Sequence, residues 1–249
     1  MTDDQLIEVL YDASAAVRAA LDGLADWGSA GTAKVGQYRS DLVADAAAVA
    51  VLERAGLGVL SEETGVHHPD RPLQVVLDPV DGSTNASRGL PWYATSLCVL
   101  DGDGPRAAVV VNQATGERFD ACRGGGARCD GGPLGPTACT DMADAVVGLA
   151  GWPSRYFGWR QMRSLGAAAL DLCAVAAGHL DAYVDCSLAS HSPWDYLGGV
   201  LVCREAGAFV VDADGRDLVV RGFDDRRVPV AAATAPLLVQ AVEARATLD

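Results

Sequence analysis

The segment of the sequence best suited to binding a metal ion contains two aspartates. Asp78 and Asp81 belong to the segment DPVDGSTN at 78–85, which directly follows the apolar run LQVVL. Carboxylates at the end of a buried strand, with the Val80 carbonyl between them, offer the hard oxygen ligands that Mg²⁺ prefers. Pro79 has no N–H to give to a sheet, so we expect the strand ladder to stop there and the chain to turn.

The residues after Asp81 suit the binding of a phosphate group. Gly82 lets the backbone approach a ligand closely, and Ser83 and Thr84 can open a helix. The free N–H groups and dipole of such a helix attract anions. The competing interpretation is an ordinary turn from strand to helix, in which the aspartates only cap the helix.

Two other segments carry acids where elements are expected to end. Glu62 and Glu63 follow a short apolar stretch, and Asp195 lies three residues after Ser192, with Pro193 between them. Alone, the glutamate pair is typical of a solvated turn, and Asp195 is typical of position N3 of a helix capped by Ser192. Because layered α/β folds build active sites at element ends, the three segments together favour a shared metal site.

At this point the chain resembles the inositol monophosphatase family of lithium-sensitive, Mg²⁺-dependent phosphatases. The similarity covers essentially the whole chain and keeps the order and spacing of the motifs. The matching pieces are SEE at 61–63, DPVDGSTN at 78–85, RSLGAAA at 163–169, WD at 194–195 with GG at 198–199, and EAG at 205–207. The resemblance implies an α+β and α/β fold, an alternating αβαβα layered sandwich of the inositol monophosphatase and fructose-1,6-bisphosphatase type, assembled as a homodimer.

The same resemblance implies roles for individual residues. The metal ligands, for two or three Mg²⁺ ions, would be Glu62, Asp78, the Val80 carbonyl, Asp81 and Asp195. Glu62 and Ser83 would orient the attacking water, and the N–H groups of Gly82, Ser83 and Thr84 would bind phosphate. The substrate would be contacted by Asp185, Ala168 and Arg163.

The implied activity is that of a phosphoric monoester hydrolase acting on a small ester such as an inositol monophosphate. Histidinol phosphate, a sugar bisphosphate and a 3′-phosphonucleotide are alternative substrates within the family, and Asn85 suits an inositol phosphate or histidinol phosphate better than a 3′-phosphonucleotide. An inactive member acting as a binding or regulatory protein is the alternative from another class.

The chain also departs from the family pattern. The family carries a Thr-x-x-Asp element before its second helix, but here the segment is SDLVAD at 40–45. Asp45 is the preferred match, with a catalytic role, and Asp41 is the alternative ligand for a third metal. Lys34 is interpreted as a surface lysine. The histidines, which lack ligand spacing, are interpreted as structural.

Periodicity predicts the elements that hold these residues. Helices are expected over 3–26, where Thr2 and Gln5 can form a capping box, and over 41–55, with a glycine-rich loop at 28–37 between them. Strands and hairpins, one turning at Gly124–Gly126, fill the rest of an N-terminal lobe over 1–138. Alternating strands and helices, among them helices at 165–177 and 194–206, form a C-terminal lobe over 139–249.

Composition narrows the class of partner. The chain has 249 residues, a formal net charge of −14 and 50% hydrophobic residues. The electrostatic field of a chain with this negative charge repels nucleic-acid phosphates and anionic membranes, so neither is expected as a partner. Seven scattered cysteines without a CxxC pair, and an acidic N-terminus, predict a reduced cytoplasmic protein. The partner is therefore expected to be a small phosphorylated polyol or similar molecule.

Overall fold

Five alternating layers of helix and sheet make up the protein. The computed structural model describes residues 1–24, 27, 38–187 and 191–247. The helices are α1 Asp3–Asp22, α2 Arg39–Arg54, α3 Ser83–Arg88, α4 Ala168–Ala176, α5 Pro193–Ala206 and α6 Ala235–Ala246. Helices α1 and α2 cover one face of a first sheet, α4 and α5 lie between the two sheets, and α6 covers the second sheet. The αβαβα sandwich expected from the sequence is confirmed.

The first sheet has eight strands in the order β2-β1-β3-β4-β5-β6-β7-β8. The strands are β1 Gly58–Ser61, β2 Gly65–His67, β3 Gln74–Asp81, β4 Ala94–Asp101, β5 Gly104–Asn112, β6 Arg118–Cys122, β7 Gly126–Cys129 and β8 Gly132–Pro133. Strands β1 and β3 run parallel, and the other neighbours are antiparallel. The hairpin predicted at Gly124–Gly126 joins β6 to β7.

The second sheet has five strands in the order β10-β9-β11-β13-β12. After a 3₁₀ helix at Met142–Asp144, its strands are β9 Val146–Gly151, β10 Gln161–Arg163, β11 Ala182–Cys186, β12 Phe209–Asp212 and β13 Pro229–Ala232. Strand β9 runs parallel to β10 and β11, whereas β13 is antiparallel to β11 and β12. The strand and helix alternation predicted for this half is therefore correct.

Helix ends differ from the predicted ones for local reasons. The capping box of Thr2 and Gln5 forms, but α1 ends at Asp22 instead of residue 26, since Gly23 follows it. Helix α2 begins two residues early because the Asp41 carboxylate accepts the Tyr38 N–H at 3.0 Å. The loop predicted at 28–37 lies outside the described residues. Within the described part of the chain, no helix has the length and apolarity needed to cross a bilayer.

A pair of glycines lets α5 occupy the middle of the sandwich. A Cβ on Gly198 would lie 2.8 Å from Ser96 Oγ of the first sheet, and one on Gly199 would lie 2.6 Å from Leu172 Cβ of α4. Both distances are shorter than real side chains tolerate, so larger residues would push α5 off one neighbour or the other. The two glycines thus fix the depth at which α5 sits between sheet and helix.

Strand β3 does not stop at Pro79, and that prediction was wrong. Asp78 pairs with Ser96 and Asp81 pairs with Ala94, so three steps along β3 lie opposite two along β4. The proline is accommodated because it lies in this β-bulge, where the ladder does not need its N–H. Residues three apart on a regular strand point to opposite faces, and the extra residue of the bulge lets both aspartates serve one site.

The bulge is held by a buried hydroxyl. Thr95 is fully buried, donates from Oγ1 to the Pro79 carbonyl at 2.9 Å and accepts from Gln113 Nε2 at 2.8 Å. Replacing it with valine keeps the shape of the side chain and removes both bonds. The Pro79 carbonyl then loses its partner inside the protein, where no water replaces it.

We therefore expect Thr95→Val to lower the free energy of unfolding by about 1–3 kcal/mol. Urea denaturation followed by circular dichroism measures this change. Ser87→Ala is the control, because the Ser87 hydroxyl bonds to the Thr84 carbonyl at an exposed position, and it should cost less than about 0.5 kcal/mol. Equal stability of the Thr95 variant and the parent protein would contradict a structural role for the hydroxyl.

Candidate metal and phosphate site

Three carboxylates from distant parts of the chain converge on one point. One oxygen from each of Glu62, Asp78 and Asp195 lies within 4.8 Å of the other two. Glu62 directly follows β1, Asp78 belongs to β3, and Asp195 lies in the first turn of α5. The spatial convergence on which a shared site depends is therefore present for these three acids.

Backbone pairing aims these carboxylates. The Glu62 N–H donates to the Leu77 carbonyl at 3.1 Å, which holds the end of β1 beside Asp78 on the parallel strand β3. On α5 the predicted cap is confirmed, since Ser192 is the N-cap, Pro193 follows it, and Asp195 Oδ2 accepts the Ser192 N–H at 2.8 Å. Asp195 thus caps its helix and still points a carboxylate at the other acids.

Asp81 lies alongside the three converging acids and joins the two halves of the chain. Its Oδ2 atom accepts the Ala169 N–H of α4 at 2.7 Å, and its charge interacts most strongly with that of Asp195. The Val80 peptide between the aspartates is buried, and its N–H donates to Asp78 Oδ1 at 2.9 Å. The five predicted ligands therefore lie at the end of β1, in the bulge of β3 and in the first turn of α5.

Burial and mutual repulsion hold protons on this cluster. Burial, followed by the charges of Asp195 and Glu63, raises the pKa of Glu62 to about 8. Burial and the neighbouring Glu62 raise the pKa of Asp78 well above its usual range, and burial with Asp195 does the same for Asp81. Carboxylates in this state lack a countercharge, which a divalent cation supplies.

The donor set fits a hard divalent cation. All the side chains that could ligate it here are carboxylates, and neither cysteine nor histidine is among the three that converge. Oxygen-only ligands of this kind select Mg²⁺ or Ca²⁺ over softer metals. Glu62, Asp78 and Asp195, with Asp81 beside them, would hold such an ion.

Gly82 ends the bulge in a backbone conformation that favours glycine. Its φ is +86°, and it is the N-cap of α3, so the first N–H groups of that helix have no partner within it. A Cβ at Gly82 would lie 3.0 Å from the Trp92 carbonyl and 3.1 Å from Ala167 Cβ. Ser83 therefore starts a helix with the free donors that the predicted phosphate site requires.

Two polar side chains support this turn. Asn85 Nδ2 donates to the Trp92 carbonyl at 2.8 Å and to the Leu165 carbonyl at 2.7 Å, which ties α3 to the segment before α4. Thr84 is exposed, and its Oγ1 lies 3.4 Å from the Tyr38 hydroxyl. Tyr38 was not predicted from the sequence, and nothing in its neighbourhood in the chain signals it.

The two candidate acids of α2 occupy different positions. Asp45 is fully buried, accepts hydrogen bonds from the Ser61 hydroxyl and, at 2.8 Å, from Thr64 Oγ1, and so braces the turn that carries Glu62. Burial raises the pKa of Asp41 to about 6, and the charge of Glu63 contributes to the shift. The assignment of either one to a third metal remains a prediction, and Lys34 lies outside the described residues.

The three predicted substrate residues are not alike. Ala168 lines a cavity of about 260 Å³ that also touches Asp81 and Asp195. Asp185 is fully buried behind that cavity's lining residue Tyr183, with Oδ1 accepting from Ser187 and Oδ2 left without a hydrogen bond. Arg163 is exposed, and its guanidinium donates to the Met162 carbonyl and the Gln161 side chain. The structure therefore brings only Ala168 to the cavity wall.

His191 lines the same cavity as Asp81 and Asp195, and its interpretation as a structural histidine stays a prediction. Its Nδ1 atom lies 3.4 Å from Asp195 Oδ2, and its Nε2 atom lies 3.7 Å from Asp185 Oδ2 and 2.8 Å from the Tyr183 hydroxyl. Burial alone lowers the pKa of the imidazole, but the hydrogen bond and charge of Asp195, with Asp185, raise it to about 9. The signal missed in the sequence is its position four residues before Asp195 at the start of a helix.

Asp171 is a second residue that sequence reasoning missed. It lies on α4 with only 1% of its surface exposed, lines the same cavity and accepts the Trp92 indole N–H at 2.9 Å. Burial raises its pKa to about 7, and the Trp92 hydrogen bond and the His191 charge oppose that shift. The available signal was a lone acid within the apolar run AALDLCAVA.

The chain is similar to known proteins along most of its length. Residues 4–246 match the inositol monophosphatase family. The chain is 36% identical to an inositol-1-monophosphatase of Mesorhizobium japonicum over 68% of each chain, and 33% identical to a Nus factor SuhB of Vibrio cholerae over 66% of each. The aligned parts thus span about two thirds of these curated relatives. The fold matches that of an inositol monophosphatase from Anabaena with a TM-score of 0.81, covering 99% of this chain and 97% of that one at 22% identity.

The acid cluster predicts how stability depends on pH. Because the folded pKa values of Glu62, Asp78 and Asp81 are raised, their contribution is complete below the unfolded values near 4 and is lost as pH rises toward about 8. We expect the melting temperature in chelator to fall between pH 5 and pH 8. Added Mg²⁺ should raise it more at pH 8 than at pH 5, because ions bind ionised carboxylates.

Differential scanning fluorimetry at constant ionic strength measures both effects. Glu62→Gln is the comparison variant, since it removes one titrating group and should flatten the slope in chelator. A melting temperature that is constant or rises from pH 5 to pH 8 without metal would contradict the description of this cluster.

Proposed function

The chain belongs to the inositol monophosphatase family, and from that premise we propose that it is a Mg²⁺-dependent phosphatase that hydrolyses a small phosphate monoester. The convergence of Glu62, Asp78 and Asp195 carries the proposal. These acids come from three segments separated in sequence, and nothing in the stability of the fold requires them to meet. Assembling buried like charges costs free energy, so their retention favours a functional reason.

The proposed chemistry is direct attack of water on phosphorus. The Glu62 carboxylate and the Ser83 hydroxyl orient the water, and the ionised Glu62 carboxylate accepts its proton, while the N–H groups of Gly82, Ser83 and Thr84 hold the phosphate oxygens. Asp81 and Asp195 face the leaving-group side, where the cavity opens. The phosphate is held in line between the two sides, so that the bond from the water oxygen to phosphorus forms as the ester P–O bond breaks. The departing alkoxide takes a proton from solvent and leaves as the alcohol, and no covalent bond to the protein forms.

Bound Mg²⁺ would supply a Lewis acid that cancels the charge of the acids and polarises the phosphate. Without that countercharge the cluster repels a phosphate dianion, so the cation is expected to be required for substrate binding as well as for turnover. The residues that would hold it are Glu62, Asp78 and Asp195, with Asp81 and the Val80 carbonyl. Two or three ions are proposed, as the resemblance implies.

The proposed substrate is an inositol monophosphate or a similar ester, with histidinol phosphate, sugar bisphosphates and 3′-phosphonucleotides as alternatives. A second candidate function is a regulatory binding role, because one relative is named a Nus factor. The acid cluster favours the enzyme, since binding alone would not require groups whose pKa values are so strongly raised. We also propose that the protein forms a homodimer and that lithium inhibits it.

We expect Asp78→Asn and Asp195→Asn each to lower kcat by about 100-fold or more while leaving the fold intact, because each removes one charge that the cation needs. Phosphate release with saturating Mg²⁺ measures kcat, and circular dichroism checks the fold. Asp144→Asn, at the end of the 3₁₀ helix and away from the site, is the matched control. Near-normal activity of both cluster variants would refute the assignment.

A phosphate-release panel tests the function itself. We expect activity with Mg²⁺ on at least one of inositol 1-phosphate, histidinol phosphate, fructose 1,6-bisphosphate and adenosine 3′,5′-bisphosphate, loss of activity in chelator and inhibition by lithium. Activity that persists in chelator would point to a metal-independent phosphatase. Binding of Mg²⁺ without release from any ester would favour the regulatory function.

A further inference from the structure

The cavity beside the acid cluster has an unequal distribution of charge. Of the cluster acids, Asp81 and Asp195 line it, and Glu62 and Asp78 do not. The rest of its wall comes from the C-terminal half, and apart from Asp171 and His191 that part of the wall is uncharged. The cavity therefore extends from the cluster into the second half of the chain, where the leaving group of a bound ester would lie.

Asp171 has a free hydrogen-bonding position that faces this cavity. Among the described residues its only hydrogen bond is the one that Oδ1 accepts from Trp92. Among the described residues, Asp185 Oδ2 is the only side-chain polar atom that is both fully buried and without a hydrogen bond. Asp171 Oδ2 also lacks a hydrogen bond, so it is not fully buried, and it is accessible from the cavity that Asp171 lines. A carboxylate oxygen can accept two hydrogen bonds, and a bound molecule is the available donor.

Asp171 forms no ion pair with any of the described residues, and the charge of His191 acts on it only from a distance. Asp81 and Asp195 face the proposed cations, and the His191 ring contacts Asp195 and Asp185. Neither lysine nor arginine is among the described residues that line the cavity. Arg163, which is close to the cavity in sequence, is directed at Met162 and Gln161 instead.

We propose that Asp171 contacts the leaving group of the substrate and selects for one that donates hydrogen bonds to it. A protonated amine forms the stronger, charge-assisted bond to a carboxylate, so an amino-alcohol phosphate is preferred over a neutral polyol phosphate. A second phosphate on the leaving group is repelled by the Asp171 carboxylate and finds neither lysine nor arginine on the described wall, where His191 is already engaged by Asp195 and Asp185, so bisphosphates are disfavoured. This inference rests on the proposed phosphatase function and deepens it.

The test compares kcat/KM for three esters between the wild-type protein and Asp171→Asn. This variant keeps the shape of the side chain and the oxygen that accepts from Trp92 but removes the charge. With Mg²⁺, wild-type kcat/KM should be highest for histidinol phosphate, lower for inositol 1-phosphate and lowest for fructose 1,6-bisphosphate. In the variant, kcat/KM for histidinol phosphate should fall about 10-fold or more, mainly through KM, because a charge-assisted bond is lost. The value for inositol 1-phosphate should change less than about 3-fold, and the value for the bisphosphate should rise.

Asp120→Asn is the control, because Asp120 is a buried carboxylate on β6 that accepts from the Tyr11 hydroxyl far from the cavity. Asp120→Asn should leave kcat/KM unchanged for all three esters. If Asp171→Asn does not fold, Asp171→Ser provides the same loss of charge with a smaller side chain.

Two results would overturn the inference while leaving the phosphatase function in place. One is a uniform fall in kcat/KM for all three esters, which would indicate a merely structural role. The other is a wild-type preference for the bisphosphate. If the wild-type protein releases phosphate from none of the esters, the proposed function fails first, and the role of Asp171 fails with it.

Discussion

Repulsion between buried carboxylates is the constraint on which the rest of the structure depends. Glu62, Asp78 and Asp195 lie within reach of one ion, and their surroundings raise the pKa values of the first two. On a flexible scaffold these carboxylates would move apart. The carboxylates stay close together because each is attached to an element that is packed on both sides. The favourable free energy of packing the layers offsets the repulsion between the carboxylates.

Two features of the scaffold set the positions of these acids. The bulge in β3 turns Asp78 and Asp81 toward one site, and Thr95 on the neighbouring strand holds it. The glycines of α5 let that helix lie close to both the first sheet and α4, which fixes Asp195 at its N-terminus. The carboxylate cluster is thus a product of long-range packing, although its residues are recognisable from short motifs.

The helices and strands and the converging acids could be predicted from the sequence because periodicity and element ends are local signals, whereas the αβαβα layering was implied by the family resemblance. The bulge could not, since it depends on the register between β3 and Thr95 of another strand. His191 and Asp171 were missed for a similar reason. Asp171 gains its meaning from Trp92, 79 residues away in the chain, and His191 gains its meaning from Asp185 of β11 and Asp195 of α5, which the fold brings to its ring. The roles of Asp45, Asp185 and Arg163 remain predictions.

The bulge also restricts how this protein can change during evolution. Three steps along β3 face two along β4 between Asp78 and Asp81. Inserting or deleting a single residue in that interval would reverse the face on which one aspartate emerges and would separate the pair, whatever amino acid was added or lost. A substitution within the interval therefore leaves the pairing register unchanged, whereas a change in its length does not.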